Sequence, residues 1–318
     1  MKLIVLIPCY NESETLPRVF LDMPKSISGI NQIEFLVVDD GCTDDTIEVA
    51  RGLGVHHIIS SSGINRRWLG HAFRIGIEEA MRLGADLVVT TDGDGQYPSA
   101  LIPQLVEPIV SNKADLAIGN RFCGSPTFYS LQKTIFSKIG NTVISKFTGH
   151  SIPDALSGFR AYSLRSLEQL NVISNQTYTI DTLMQAYQNG LVVTWIDIFC
   201  NPPSRPSRLF RSPMDAVKRS APNIIRSFIH HRPFGTIFPI SLILFFLGSL
   251  LFGRFIFIVI FTPLESSGHI QSLIAGAVCI VSALQLAALA ILGDILKVIR
   301  SLQEETLRIL RNLSRGQK

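Results

Sequence analysis

No two of the five cysteines, Cys9, Cys42, Cys123, Cys200 and Cys279, are spaced as C-x-x-C. That excludes a thiolate metal knuckle and fits a reducing compartment, where cysteines serve as ordinary buried hydrophobes. The histidines, among them His56, His57, His150, His230, His231 and His269, lack metal-ligand spacing, so none is expected to bind a metal or take part in catalysis. No basic stripe interleaved with aromatics is present and the net charge is only +4, so nucleic acid is not expected as a partner. The apolar start, Met1 to Ile7, is stopped by Pro8 and is too short for a secretory signal. It reads instead as a buried first strand.

What is abundant is apolar residue, 47% of the chain, and it is unevenly spread. Residues 1–232 mix charged, polar and apolar stretches, whereas 236–261 and 270–293 are almost continuously apolar. Each meets the roughly 20 residues that cross a bilayer core, and only the polar stretch Thr262–Gly268 separates them. A transmembrane helical hairpin over 233–293 is expected. Lys and Arg crowd 205–232 and 297–318, while the intervening turn carries Glu265 and no basic residue. The positive-inside rule then places the domain of residues 1–213 and the C-terminal tail in the cytoplasm. Arg254, in the distal half of the first span, is expected to snorkel toward the far headgroups, the alternative being that it faces a neighbouring helix or subunit. Residues 214–232 predict a basic amphipathic juxtamembrane helix lying on membrane lipid, interrupted at Pro222. Residues 294–318 predict a cytoplasmic amphipathic helix continuing the second span, free to pack on the domain, on lipid or against another subunit.

Within the first domain, short β-rich runs at Leu3–Ile7, Glu34–Val38, His56–Ile59, Asp86–Thr90 and Asp115–Ile118 alternate with amphipathic segments at 14–28, 43–53, 69–83 and 99–110. Helices are further predicted at 128–148 and 179–189, and strands at 158–163 and 192–199. Such alternation predicts an α/β fold with a mostly parallel, doubly wound sheet, whose ligands bind beyond the carboxyl ends of the strands. Polar clusters stand at those ends: Cys9-Tyr10-Asn11-Glu12, Asp39-Asp40-Gly41, Asp92-Gly93-Asp94 and Gly119-Asn120-Arg121. Asp92 and Asp94, two apart in a loop, can offer oxygens to one hard cation that bridges a diphosphate, which implies Mg²⁺ or Mn²⁺.

Taken together, Val5-Leu-Ile-Pro-Cys-Tyr-Asn-Glu12, Val37-Val-Asp-Asp-Gly41, Asp92-Gly-Asp-Gly-Gln96, Gly119-Asn-Arg121 and Ser157-Gly-Phe-Arg160 resemble the signature series of inverting nucleotide-sugar glycosyltransferases with a Rossmann-like, GT-A-type domain. The chain is most similar to the branch of dolichyl-phosphate mannose synthases and bactoprenol glucosyltransferases. The resemblance implies that Pro8, Tyr10, Glu12 and Asp40 hold the nucleoside, with Asp39 nearby. Asp92 would sit at the ribose and metal, and Asp94 and Gln96 would ligate the metal. It also implies that Arg121 approaches the phosphates, that Ser157 and Arg160 lie on the acceptor side, and that Arg205 and Arg208 belong to a basic loop, Arg208 meeting a diphosphate or lipid phosphate. Cys42 departs from the serine common in the family, and Asn65–Gly70 from its glycine-richer loop. Trp68 reads as a core residue, with a lid position as the alternative, and Asp181 as either a family acid or a helix N-terminal charge.

The reaction so implied is hexose transfer, with UDP-glucose the preferred donor, onto polyprenyl phosphate. GDP-mannose and UDP-N-acetylglucosamine are the alternative donors, and an inactive membrane scaffold the alternative function. A phosphate monoester is already largely anionic at neutral pH, so no dedicated base is needed and direct displacement inverts the anomeric carbon. Two spans are too few to flip the product, so a separate flippase is expected. A homo-oligomer is expected too, because a lone hairpin has little to pack against.

Overall fold

The computed structural model describes residues 1–60, 68–123, 131–172, 175, 177–202, 229, 232–261 and 270–316. It divides into two compact units, Met1–Lys218 and Arg219–Lys318.

The first unit is built on seven strands: β1 (Lys2–Cys9), β2 (Gln32–Asp39), β3 (His57–Ser60), β4 (Leu87–Thr90), β5 (Leu116–Asn120), β6 (Arg160–Ser163) and β7 (Val193–Asp197). Their order is β3-β2-β1-β4-β6-β5-β7. β6 runs antiparallel to both its neighbours, β4 and β5, and every other pairing is parallel. Leu3 to Ile7 of β1 are completely buried, as an apolar run covered on both faces of a parallel sheet should be. The helices are α1 (Leu16–Leu21), α2 (Thr46–Gly52), α3 (Leu69–Arg82), α4 (Ile102–Val110), α5 (Leu131–Thr148), α6 (Leu164–Gln169) and α7 (Thr179–Gln188).

Three local expectations are corrected. The helix expected over 14–28 ends at Leu21, since Pro24 disfavours helical backbone in the residue before it. Residues 164–169 form α6, capped by the Ser163 hydroxyl on the Ser166 N–H at 3.1 Å, where no helix was expected. Trp68 precedes α3, is 38% exposed and has φ +79°, so it is not a core residue. Of the five free cysteines only Cys9 is fully buried.

Because β6 alone is reversed, the carboxyl ends of β1, β2, β4 and β5 and the amino end of β6 share one edge of the sheet. The loop leading into β6, residues 153–159, is thereby carried to the strand-end loops that bear the acidic residues.

In the second unit, α8 (Pro233–Phe261) and α9 (Ile270–Gly316) are both long and apolar enough to cross a membrane. They pack through small residues spaced by seven: Ser241 and Gly248 on α8, Gly276, Ala283 and Ala290 on α9, all buried. A Cβ on Gly248 would stand 2.9 Å from the Gly276 carbonyl oxygen, so the crossing needs glycine there. Close backbone approach through small residues is how helices associate where no hydrophobic drive exists. Most other side chains of α8, Arg254 included, are exposed.

Candidate active site

The first wall of the site is the β1–β2 edge. Asn11 takes φ +57°, a left-handed conformation suited to asparagine, and its Oδ1 accepts from the Thr43 N–H at 2.7 Å. Asp39 Oδ1 accepts from the N–H groups of Gly41 and Cys42 at 3.0 and 2.7 Å, fixing the turn after β2. Cys42 Sγ in turn accepts from the Asn11 N–H at 3.3 Å. Burial pushes this thiol up to about 12, so it stays protonated at neutral pH. The Glu12 N–H donates to Thr46 Oγ1 at 2.7 Å, and the Thr15 hydroxyl lies 2.7 Å from Glu12 Oε2 and 2.8 Å from the Gly93 carbonyl oxygen. That hydroxyl joins the first wall to the loop after β4. Asp40 is buried, while Pro8, Tyr10, Glu12 and Asp39 are half-buried along this edge.

On the β4 loop, Asp92 and Asp94 are both half-buried. Gln96 donates through its backbone N–H to Asp94 Oδ1 at 3.0 Å and through its side-chain amide to Oδ2 at 2.7 Å. It therefore orients Asp94, and among the described residues its side-chain oxygen Oε1 accepts no hydrogen bond, whereas its backbone carbonyl accepts from the Asn201 N–H at 2.8 Å. Asp92 is pushed up to about 7, first by burial and then by the nearby charge of Asp94, with Arg121 partly offsetting this and Glu12 adding to it. Three carboxylates are thus gathered with one guanidinium among them, an arrangement short of positive charge. No group of three or more acidic, histidine or cysteine side chains among the described residues forms a complete metal cage. Asp92 and Asp94 could serve as two oxygen donors to a hard cation that takes the rest of its shell from phosphate and water.

The loop before β6 closes the third side. Gly158 lies so near Asp92 that an added Cβ would stand 3.3 Å from its carboxylate. The Gly158 N–H donates to the Tyr97 hydroxyl at 3.0 Å, and the Gly158 carbonyl accepts from Thr90 and Tyr178 at 2.7 and 3.0 Å. Asn141 of α5 bonds to the Pro153 carbonyl and accepts from the Ala155 N–H.

Two residues expected on the acceptor side belong instead to this support. Arg160 is completely buried, and its guanidinium donates to the carbonyls of Ser157, Thr179 and Ala155 and to the Thr182 hydroxyl at 2.7 to 3.0 Å. Far from facing an acceptor, it ties the loop to α7 and is a positioning residue. Ser157 is also completely buried, and its hydroxyl has no hydrogen-bond partner. Asp181 stands in the first turn of α7, fitting the helix N-terminal charge.

One important residue was not anticipated. Asp154, 1% exposed, grips Arg121 through Nε at 2.6 Å and Nη2 at 2.8 Å and accepts its backbone N–H at 3.2 Å. A bidentate fork of this kind fixes the guanidinium plane. Nothing local marks Asp154 in the sequence; the one signal is an acid close before the Ser157–Arg160 motif. Removing one partner of a largely buried pair costs about 3 kcal/mol or more. Asp154→Ala is therefore expected to lower the melting temperature of the first unit by roughly 6–12 °C. Thermal unfolding of the full chain in detergent, followed by tryptophan fluorescence, checks this. Arg205 and Arg208 lie outside the described residues, as does nearly all of the expected juxtamembrane helix over 214–232.

The chain that builds this sheet edge is similar to known proteins. Residues 4–170 match the family Glycosyl transferase family 2. Polyprenol monophosphomannose synthase of Mycolicibacterium smegmatis is 31% identical over 209 residues, 61% of this chain and 76% of that protein. The UDP-N-acetylglucosamine–dolichyl-phosphate N-acetylglucosaminyltransferase of Methanococcus voltae is 29% identical over 189 residues, 54% of this chain and 73% of that protein. Among solved structures, glucosyl-3-phosphoglycerate synthase of Mycobacterium tuberculosis, in complex with Mn²⁺, UDP and glucosyl-3-phosphoglycerate, superposes with a TM-score of 0.54. That match covers 72% of this chain and 78% of the other at 21% identity, a likeness of fold. The matched segment, residues 4–170, contains the strand-end loops that gather the acidic residues, and the chain belongs to glycosyl transferase family 2.

Proposed function

We propose that this protein transfers a hexose from a nucleotide diphosphate onto polyprenyl phosphate at the cytoplasmic face of a membrane, with inversion at the anomeric carbon. The observation that carries the reading is the joint presence of the Asp92–Asp94 edge and the apolar α8–α9 hairpin. Curated relatives whose names specify polyprenol or dolichyl phosphate as acceptor support it. Their names specify mannose and N-acetylglucosamine, so UDP-glucose as donor rests on the two-span layout alone.

Pro8, Tyr10, Glu12, Asp39 and Asp40 line the edge that would receive the nucleoside. Asp92 and Asp94, with the Gln96 side-chain Oε1, would hold Mg²⁺ or Mn²⁺, which would supply neutralisation of the departing diphosphate. Arg121, its plane set by Asp154, adds positive charge on the same side, and Arg208 is assigned the lipid phosphate or the diphosphate. Arg205 is proposed as a weaker contact on that loop. The lipid phosphate needs no base, so the protein's task is to hold its oxygen in line with the anomeric carbon. The hairpin holds the enzyme beside its lipid substrate, with both termini cytoplasmic and Arg254 toward the distal headgroups.

The test is to supply the purified full chain with polyprenyl phosphate, Mn²⁺ or Mg²⁺ and a panel of radiolabelled nucleotide sugars. Label entering the organic phase only with the lipid, the metal and one donor is expected. No transfer from any donor by folded protein overturns the reading and favours a membrane scaffold.

Asp92 also fixes a pH dependence. Its carboxyl is held near 7 in the folded chain against about 4 when unfolded. Its charged form is therefore disfavoured in the folded state. The resulting stability loss begins as pH rises past the unfolded value and is complete above about 7. Cation binding requires the ionised form, so Mn²⁺ affinity is expected to rise with pH up to about 7 and then level off, and added Mn²⁺ to restore thermal stability most at high pH. Calorimetric Mn²⁺ titrations from pH 5.5 to 8.5 measure this; a flat profile would contradict it.

A further inference from the structure

The chain leaving β7 does not stay at its own side of the sheet. β7 is the last strand in the order, with β5 and β6 between it and β4, yet residues 198–201 cross the site edge back to the loop after β4. Ile198 holds the near end of this crossing. It is 1% exposed, its N–H donates to the Asn120 carbonyl at 3.0 Å, and it packs on Gly119, where an added Cβ would stand 2.7 Å from Ile198 Cδ1. Asn201 holds the far end. Its backbone N–H donates to the Gln96 carbonyl at 2.8 Å and its side-chain amide to the Gly95 carbonyl at 3.0 Å. Asn201 and Gly95 are 106 residues apart, so the contact is made by the fold and not by a local turn.

Those two bonds fall on the one stretch of the β4 loop that lacks other support. The start of the loop is tied by the Thr15 hydroxyl on the Gly93 carbonyl at 2.8 Å. Its end is tied by buried Tyr97, which accepts from the Gly158 N–H at 3.0 Å and stacks on Phe159. Between these ties the Asp94 and Gln96 side chains bond to each other, and Gly95 has φ +73°, a conformation that glycine enters and leaves freely. Among the described residues, Asn201 is the only one outside the loop that hydrogen-bonds to Asp94, Gly95 or Gln96.

We infer that Asn201 is a positioning residue for the cation site: it fixes the Gly95–Gln96 backbone, and so the Gln96 amide that sets both oxygens of Asp94. It acts through Gln96, not by contact with the cation. The inference deepens the reading proposed above and rests on its cation site. A loop held in place beforehand does not have to be ordered when the cation arrives, so the effect appears in cation affinity. Substitution of Asn201 leaves its backbone bond to Gln96 in place and removes only the amide bond to Gly95, which isolates the side chain's share.

Mn²⁺ binding to the full chain in detergent, with UDP and then GDP present, tests it, read from the electron paramagnetic resonance signal of free Mn²⁺. Asn201→Ala and the near-isosteric Asn201→Leu are each expected to weaken Mn²⁺ binding about fivefold, the equivalent of about 1 kcal/mol for one hydrogen bond. The Mn²⁺ concentration that half-saturates sugar transfer is expected to rise by the same factor. Asn189→Ala removes a comparable amide bond, to the Gln169 carbonyl at 3.1 Å, before β7 at the opposite edge of the sheet, and is expected to leave Mn²⁺ binding unchanged. Parent-like Mn²⁺ affinity in both Asn201 variants, while Asp94→Ala lowers it, overturns the positioning role and leaves the cation site standing. An equal loss in Asn189→Ala also overturns it, since the effect is then a general loosening of the domain. A parent chain that binds no Mn²⁺, or an Asp94→Ala chain that binds it unchanged, overturns the cation site and this inference together.

Discussion

Asp94→Ala is expected to lower sugar transfer by about 10²–10³-fold or more, the loss typical of removing one preorganised group that stabilises transition-state charge. The expectation follows from local geometry. Asp94 is held on both oxygens by Gln96, so its carboxylate is preset and nothing nearby replaces it. Asp92 remains in the variant, but its carboxyl is held near 7 by burial and by neighbouring acids. With Asp94 gone its ionisation becomes easier, yet one carboxylate cannot serve as two ligands. The loss is therefore expected in kcat with a weakened Mn²⁺ requirement, while the fold is kept, because Asp94 makes no long-range contact in the hydrogen-bond network described. Steady-state rates across a Mn²⁺ series, with circular dichroism for folding, check both parts. Retention of wild-type kcat would remove Asp94 from the reaction.

Arg160→Leu is expected to fail in the opposite way, through stability. Its guanidinium satisfies three carbonyls and a hydroxyl in a site with no exposure. Truncating it leaves those acceptors without a partner, at about 1–3 kcal/mol each. The sum is of order 5 kcal/mol, a large share of the 5–15 kcal/mol that holds a typical domain folded. Arg160→Lys is expected to recover only part of this, since an ammonium cannot match a planar fork aimed at several carbonyls. The melting temperatures of both variants in detergent, together with donor affinity in whatever fraction remains folded, separate the two roles. A stable Arg160→Leu protein that has lost only acceptor binding would return Arg160 to the acceptor side.

The contrast between these two residues shows what the sequence makes legible. Asp92 and Asp94 could be placed because strand ends are local: an apolar run followed at once by a polar loop puts that loop at the carboxyl edge wherever the strand sits in the sheet. The same logic located Glu12, Asp39 and Asp40. Arg160 could not be assigned a role that way. The family resemblance implied an acceptor-side role, but whether a guanidinium faces substrate or backbone depends on which carbonyls the fold brings near it, and all four of its partners come from loop 153–159 and α7. Asp154 was missed for a related reason, since its partner Arg121 is 33 residues away and no spacing rule joins them. The seven strands were legible as runs of β-rich residues. The reversal of β6 was not, because strand direction is decided by pairing and not by the residues of the strand itself. Helix α1 shows the limit of periodicity, since a continuing amphipathic pattern lost to a single proline at position 24. In the second unit composition was enough to place α8 and α9, because length and apolar content alone set them, while the small-residue seam of Gly276, Ala283 and Ala290 emerged only in the structure.

The most direct test of the central claim compares acceptors at a fixed donor. Full-length protein in vesicles, with Mn²⁺ and whichever nucleotide sugar it uses, is offered polyprenyl phosphate, the same polyprenol without phosphate, and a short soluble phosphate monoester. Transfer to polyprenyl phosphate, with none to the free alcohol and little to the soluble ester, is the predicted result, because the nucleophile is a phosphate oxygen presented from a membrane. Efficient transfer to the free alcohol or to the soluble ester would contradict it.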